Sequence, residues 1–225
     1  MRMRRKKNLE TRLAECADWL KAPAMPDNRD FRAAKEQAAF LDLDGWFEKK
    51  QPLWLEIGCG RGQFAAELAR QYPEVNILAV EKVANVIVSA AEKAKELALP
   101  NLRCLNCAAE YLPRYLQPHT VERLYLNFSC PVPKARYAAH RLTSERFLPI
   151  YDALLTESAE IHQKTDNRAF FEYSVEKLTG FGYALKNVSL DLHRSDFEGN
   201  IVTEYEKRFA DLGQPIYRLE AYRRS

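Results

Sequence analysis

The sequence predicts an α/β fold: a doubly wound, mostly parallel sheet of seven strands. Three observations lead there. From Leu53 onward, short apolar runs alternate with helical stretches. One of those runs feeds three closely spaced glycines and then a helix. The chain also has 225 residues, 47% of them hydrophobic, which is enough for one sheet with a buried core and excludes wholesale disorder. A single domain over 1–225 is expected, with 1–7 a basic flexible tail and 8–50 a helical N-terminal extension.

The elements follow in order. Leu9, Leu13, Cys16, Ala17 and Leu20 recur at helical spacing, and Pro23 and Pro26 stop that helix. Phe31 to Leu41 reads as a second helix. Strands are expected at Trp54–Ile57, Asn76–Val80, Leu102–Cys107 and Arg123–Asn127, then at Ala159–Gln163, Ala184–Leu190 and Ile216–Tyr222. Helices are expected at Gln63–Arg70, Val83–Leu97, Ser144–Leu155, Arg168–Thr179 and Thr203–Leu212. In such sheets ligands sit beyond the carboxyl ends of the strands.

Charge is local rather than general. The chain has 34 basic and 31 acidic residues, a net +3. Five of the basic residues (Arg2, Arg4, Arg5, Lys6, Lys7) lie in the first seven positions, so residues 8–225 carry 29 against 31. No apolar run approaches the roughly 18 residues of a membrane span, and no apolar stretch follows the basic start as in a secretory signal. Five cysteines in a chain of this size read as free thiols in a reducing cytoplasm. Cys104 and Cys107 form a C-x-x-C, but positions i and i+3 of a strand face opposite ways, so no metal is expected there.

The richest chemistry lies in Leu55-Glu56-Ile57-Gly58-Cys59-Gly60-Arg61-Gly62. Glycines permit a tight turn and close backbone approach, and the following helix N-terminus offers unpaired N–H groups. The spacing is G-x-G-x-G, not the G-x-G-x-x-G of dinucleotide sites. Glu56 would repel a pyrophosphate but favour a cation such as the sulfonium and ammonium of S-adenosylmethionine. Glu81 closes the second strand, where an acid takes ribose hydroxyls. The alternative for either is a solvated strand-end charge.

Further runs carry a resemblance. Tyr125-Leu126-Asn127-Phe128-Ser129, Arg141-Leu142-Thr143, Lys164-Thr165-Asp166-Asn167 and Glu198-Gly199-Asn200 occur in order. Thr203-Glu204-Tyr205-Glu206 and Gly213-Gln214-Pro215-Ile216-Tyr217 complete the series. Together they resemble the bacterial tRNA (guanine-N7)-methyltransferases, over nearly the whole chain. The resemblance implies a Rossmann-like class I methyltransferase with one antiparallel strand near the C-terminus. It implies S-adenosylmethionine as cofactor and a guanine of the tRNA variable loop as methyl acceptor. It assigns Glu56, Gly58, Gly60, Glu81 and Ala109 to the cofactor. It assigns Lys134, Asp166, Thr203, Glu204, Tyr205 and Glu206 to the substrate. As plain alternatives, Lys134 is a surface lysine, Asp166 a helix cap, and Glu204 and Glu206 a solvated helix face.

Departures from the family pattern bear on catalysis. The family reads Ser-Asp-Pro-Trp-Pro-Lys-Lys-Arg-His after the fourth strand. This chain reads Ser129-Cys130-Pro131-Val132-Pro133-Lys134-Ala135-Arg136-Tyr137. Cys130 thus replaces the family's catalytic acid, so no catalytic residue is assigned, and a small buried thiol is the expected state. Val132 replaces a tryptophan. Ala108 replaces an acid near the cofactor adenine, where the Ala109 N–H still serves the ring. Three readings stand: an active tRNA methyltransferase, a degenerate homologue that binds tRNA or cofactor without catalysis, and a small-molecule methyltransferase. For RNA, the tail and the Lys134, Arg136, His140, Arg141 run are expected to clasp the backbone. Nothing in the sequence specifies an oligomeric state.

Overall fold

The computed structural model describes residues 6–23 and 38–224. The chain divides into two compact units, Met1–Tyr115 and Leu116–Ser225.

The first unit holds four parallel strands: β1 (Leu20–Lys21), β2 (Leu53–Ile57), β3 (Asn76–Val80) and β4 (Leu102–Leu105), in the spatial order β1-β4-β3-β2. Every residue of β2, β3 and β4 is buried. Strands covered on both faces are written as continuous apolar runs, which is why they stand out in the sequence. Helices α1 (Leu9–Ala14), α2 (Leu43–Phe47), α3 (Gln63–Gln71), α4 (Ala84–Glu96) and α5 (Leu112–Tyr115) belong to the same unit. α3 buries Phe64, Ala65, Ala66, Leu68 and Ala69, and α4 buries Ile87, Val88, Ala90, Ala91 and Ala94.

The second unit holds β5 (Val121–Asn127), β6 (Leu155–Thr165), β7 (Tyr183–Ser189) and β8 (Tyr217–Arg223), in the order β5-β6-β8-β7. β5 and β6 are parallel, while β8 runs antiparallel to both its neighbours. The expected single reversed strand near the C-terminus is therefore β8. Helices α6 (Leu148–Leu154), α7 (Arg168–Gly180) and α8 (Glu204–Asp211) belong to this unit. Two short 3₁₀ turns, Ala135–His140 and Leu192–Arg194, join its elements.

Among the described residues, eight strands replace the expected seven. The extra one arises where a helix to Leu20 is expected. α1 ends at Ala14, i→i+3 bonds from Cys16 and Ala17 wind the chain off it, and Leu20 pairs with Cys104. The open edge of β4 overrides the local periodicity. The helix expected at Phe31–Leu41 lies largely outside the described residues. Ala38–Leu41 is not helical, and Ala39 and Leu41 donate to the carbonyls of Arg114 and Tyr115. The helical extension is thus confined, among the described residues, to α1 and α2. The strand expected to reach Cys107 stops at Leu105, so strand alternation does not govern that thiol. Burial instead pushes Cys104 up to about 12 and Cys107 higher still, which keeps both thiols protonated.

Candidate functional site

The chemistry-bearing residues fall into two groups, one in each unit. In the first, β2 ends at Ile57 and the chain turns through Gly58, Gly60 and Gly62 at φ of 81°, 57° and 74° into α3. All three lie in the left-handed region that glycine adopts without steric cost. Their surroundings differ. Nothing stands within 4 Å of a Cβ added at Gly58 or Gly60, whereas one at Gly62 would meet the Ala90 Cβ at 2.5 Å. The first two leave open space over the turn, and the third lets the turn pack on α4.

The N–H groups of Gly58 and Cys59 donate to the Val80 carbonyl at 2.8 and 3.1 Å, and that of Gly62 to Cys59. These amides precede the helix start and are paired within the turn. What Gly58 contributes is its shape. Glu56 is 2% exposed, at the fourth position of β2 and paired in register with Ala79. A carboxylate this deep is costly to bury, so the solvated-charge reading fails. Glu81 is half-buried at the end of β3, and its Oε1 accepts the Val83 N–H at 2.9 Å, which fixes the carboxylate at the entrance to α4. Asn106, which the sequence did not single out, donates to the Glu81 carbonyl at 2.7 Å. Ala108 precedes the 3₁₀ turn Ala109–Tyr111, and Ala109 is buried as its first residue. The first N–H of such a turn has no acceptor within it.

In the second unit, β5 ends at Asn127 and two non-glycine residues follow in the left-handed region, Phe128 at φ 49° and Val132 at φ 42°. A β-branched residue there is a true outlier. Arg141 holds the loop: its Nε donates to the Pro131 carbonyl at 3.0 Å, its Nη2 to the Val132 carbonyl at 3.2 Å, and its guanidinium lies 4.3 Å from the Tyr173 ring centre. Arg141, expected in the run that clasps the RNA backbone, gives its Nε and Nη2 to this loop. Cys130 is exposed, not the small buried thiol expected. The Ser129 hydroxyl is buried and has no hydrogen-bond partner among the described residues. Lys134, Arg136 and His140 are exposed on the following turn.

Asp166 does not cap α7. Asn167 does, accepting the Phe170 N–H at 2.8 Å, which leaves the half-buried Asp166 carboxylate outside the cap. Thr203 is the N-cap of α8, its hydroxyl accepting the Glu206 N–H at 3.0 Å. Glu204 and Tyr205 are exposed on the first turn. The Tyr205 ring lies 5.0 Å from that of Phe128 and 4.7 Å from that of Phe209. Burial, then the Asp166 carboxylate, holds the Tyr205 phenol above its ordinary range, against the pull of Arg208. Phe128 carries no signal of this role in the sequence, since its ring reaches Tyr205 only through the turn after β5.

Glu206 departs from expectation. It is 0% exposed, with Oε2 2.6 Å from Lys164 Nζ and Oε1 2.6 Å from Asn200 Nδ2 and 3.1 Å from His193 Nε2. A carboxylate with these three partners and no solvent access holds the loop before α8 in place. It is not a solvated face.

The family described as "Putative methyltransferase" matches residues 50–219. A "tRNA (guanine-N(7)-)-methyltransferase" of Macrococcus caseolyticus is 47% identical over 202 residues, 87% of this chain and 96% of that one. One of Staphylococcus epidermidis is 44% identical over 195 residues, 83% of this chain and 91% of that one. A solved "SAM dependent methyltransferase" from Aquifex aeolicus shares the fold at 15% identity, with a TM-score of 0.55 over 86% of this chain and 98% of that one.

Proposed function

This chain belongs to the family of tRNA (guanine-N(7)-)-methyltransferases, and from that membership we propose that it transfers the methyl group of S-adenosylmethionine to N7 of a guanine in the tRNA variable loop. The observation that carries the reading is the turn after β2. Gly58 and Gly60 are in the left-handed region with open space where a side chain would stand, between the acids Glu56 and Glu81. A cationic nucleoside fits that setting. When bound, the cofactor supplies an electrophilic methyl group on a sulfonium.

The chain's own residues then divide the work. Glu56 faces the cationic amino acid end. Glu81, its carboxylate fixed by the Val83 N–H, takes the ribose, and the Ala109 N–H takes the adenine ring. In the second unit Asp166, released from capping by Asn167, sits beside the exposed Tyr205 ring, on which a splayed-out base stacks. Lys134 takes RNA phosphate, and Glu204 and Thr203 shape the same edge. Guanine N7 carries a lone pair and no proton, so no general base is required. Positioning supplies about 7–11 kcal/mol of such a barrier. Positive charge develops on the base as the methyl arrives, and the Asp166 carboxylate stabilises it. No metal enters this chemistry.

The reading carries a single catalytic domain over 1–225, working on tRNA in the cytoplasm. Among the described residues no helix is long and apolar enough to cross a membrane. The test is direct. Purified protein, labelled cofactor and unmodified tRNA should give 7-methylguanosine on nucleoside analysis. Absence of that nucleoside, with the protein folded and the cofactor bound, rejects the proposal in favour of a binding-only homologue.

A further inference from the structure

The start of the described chain is fastened along α4. The Lys6 N–H donates to Asn85 Oδ1 at 2.6 Å, and the Lys6 ammonium donates to the Ser89 hydroxyl. One turn further, Arg12 meets Glu92 through two parallel bonds of 2.6 Å, and Lys95 reaches the Glu15 carbonyl at 2.9 Å. The partners advance along α4 as the segment advances, so residues 6–15 run in the direction of the helix. Lys6 therefore lies at the N-terminal end of α4, the end that follows Glu81.

The glycine turn is packed on the same part of α4. Gly62 is buried there because a Cβ would strike Ala90, the residue after the Lys6 partner Ser89. Arg61 immediately precedes it and is exposed, with no acidic partner among the described residues. Two segments far apart in sequence thus meet one turn of one helix, Lys6 at Ser89 and the residue after Arg61 at Ala90. Burial, then the cations of Arg12 and Arg61, hold the Lys6 ammonium below its ordinary range, while Glu92 opposes them. Like charges gathered this way disfavour each other until an anion joins them. Lys7 stands exposed beside them.

We propose that Lys6, Lys7 and Arg61 form a phosphate-binding rim beside the glycine turn that takes the backbone of the RNA substrate, and that the Arg12–Glu92 pair is the clamp that positions it. The proposal rests on the tRNA reading above and adds a contact surface in the first unit, separate from Lys134 in the second. Arg12 is a positioning residue. Its guanidinium is committed to Glu92, and it acts by keeping Lys6 at the head of α4.

The experiment measures tRNA binding by the full chain across a salt series, together with cofactor affinity by calorimetry. Lys6→Gln and Arg61→Gln should each weaken tRNA binding and lower the slope of log K against log salt by about 0.7–0.9, the value of one phosphate contact. Arg61→Lys should keep the slope. Arg12→Gln should weaken binding, and the exchanged pair Arg12→Glu with Glu92→Arg should restore it. Cofactor affinity should stay at the parent value throughout. Unchanged slopes in both Gln variants overturn the rim. A fall in cofactor affinity with an unchanged slope for Arg61→Gln also overturns it, since the anion is then the cofactor's carboxylate. A parent protein that binds tRNA but forms no 7-methylguanosine fails the proposed function, while the slopes still decide the rim. A parent that binds no tRNA overturns both.

Discussion

The ammonium of Lys164 stands 2.6 Å from the Glu206 carboxylate, and both side chains are buried. Lys164 also donates to Asn200 Oδ1 at 3.0 Å and to the Ile201 carbonyl at 2.9 Å, so one lysine of β6 ties down the loop that leads into α8. Thr203 and Tyr205 owe their places to that tie. Removing one partner of a buried pair leaves the other charge uncompensated, typically at about 3–5 kcal/mol. Glu206→Ala should therefore lower unfolding stability by roughly 3 kcal/mol in urea titration. A variant of parental stability that had lost only tRNA affinity would return Glu206 to the role of substrate contact.

Cys130 offers the clearest gain of function. It is exposed on the turn after β5. A carboxylate there would add to the field of Asp166, and single electrostatic groups at reacting centres are worth roughly 10²–10³ in rate. Cys130→Asp should raise single-turnover methylation of unmodified tRNA at least about tenfold. An unchanged or lower rate would show that the turn has adapted to a neutral side chain.

The three glycines after β2 should respond differently to alanine. At Gly62 the new Cβ would lie 2.5 Å from the Ala90 Cβ and 2.9 Å from its Cα. Overpacking adds about 1–3 kcal/mol to the backbone cost of a positive φ. Gly62→Ala should be visibly destabilised in thermal melts. Gly60→Ala meets no atom, so it should fold near parental stability, within about 1–2 kcal/mol, and lose cofactor affinity instead. Equal losses of stability would mean that the open space over Gly60 is not the seat of a ligand.

Acid should unfold the second unit through β6. Glu160 is held at about 2, first by the hydrogen bond from His162 at 2.8 Å and then by Lys186. Burial holds His162 below its ordinary 6.5, against the pull of Glu160, and the Nε2–H of a neutral imidazole suffices for the bond. Both shifts have the same sign in stability. The unfolded chain binds the proton more readily in each case, so stability is present above the unfolded values and lost as pH falls. The His162 contribution should fade below about 6.5 and that of Glu160 from about 4.5 toward 2. Urea midpoints should follow this course, and Glu160→Gln should flatten only the lower part. A Glu160→Gln curve parallel to the parent between pH 4.5 and 2 would remove this account.

The sequence is transparent where local pattern and tertiary role coincide. Asn76–Val80 is read to the residue because a strand buried on both faces is written as an apolar run bounded by turns. The start of α3 at Gln63 is marked by Gly62 in the same way. Leu20–Lys21 is invisible, since two residues carry no period and their pairing is decided by the edge of β4. Among the candidate site residues, Glu56, Gly58, Gly60 and Glu81 lie at the ends of legible strands, so they could be picked out. Arg141 and Glu206 could not be sorted in the same manner. A guanidinium committed to two carbonyls nine and ten residues away, or a carboxylate closed over by a lysine 42 positions upstream, looks in sequence like any surface charge.

The peptide linking Val80 to Glu81 has a wider reach than its position suggests. Its oxygen receives both Gly58 and Cys59, and its nitrogen donates to Leu105 at 3.3 Å. The turn after β2, the acid after β3 and the end of β4 are thus bolted to a single planar plate. The two jaws that would grip a nucleoside are cut from the same piece, so neither can swing open alone. The distance between the glycine turn and the acid after β3 is set at this one peptide.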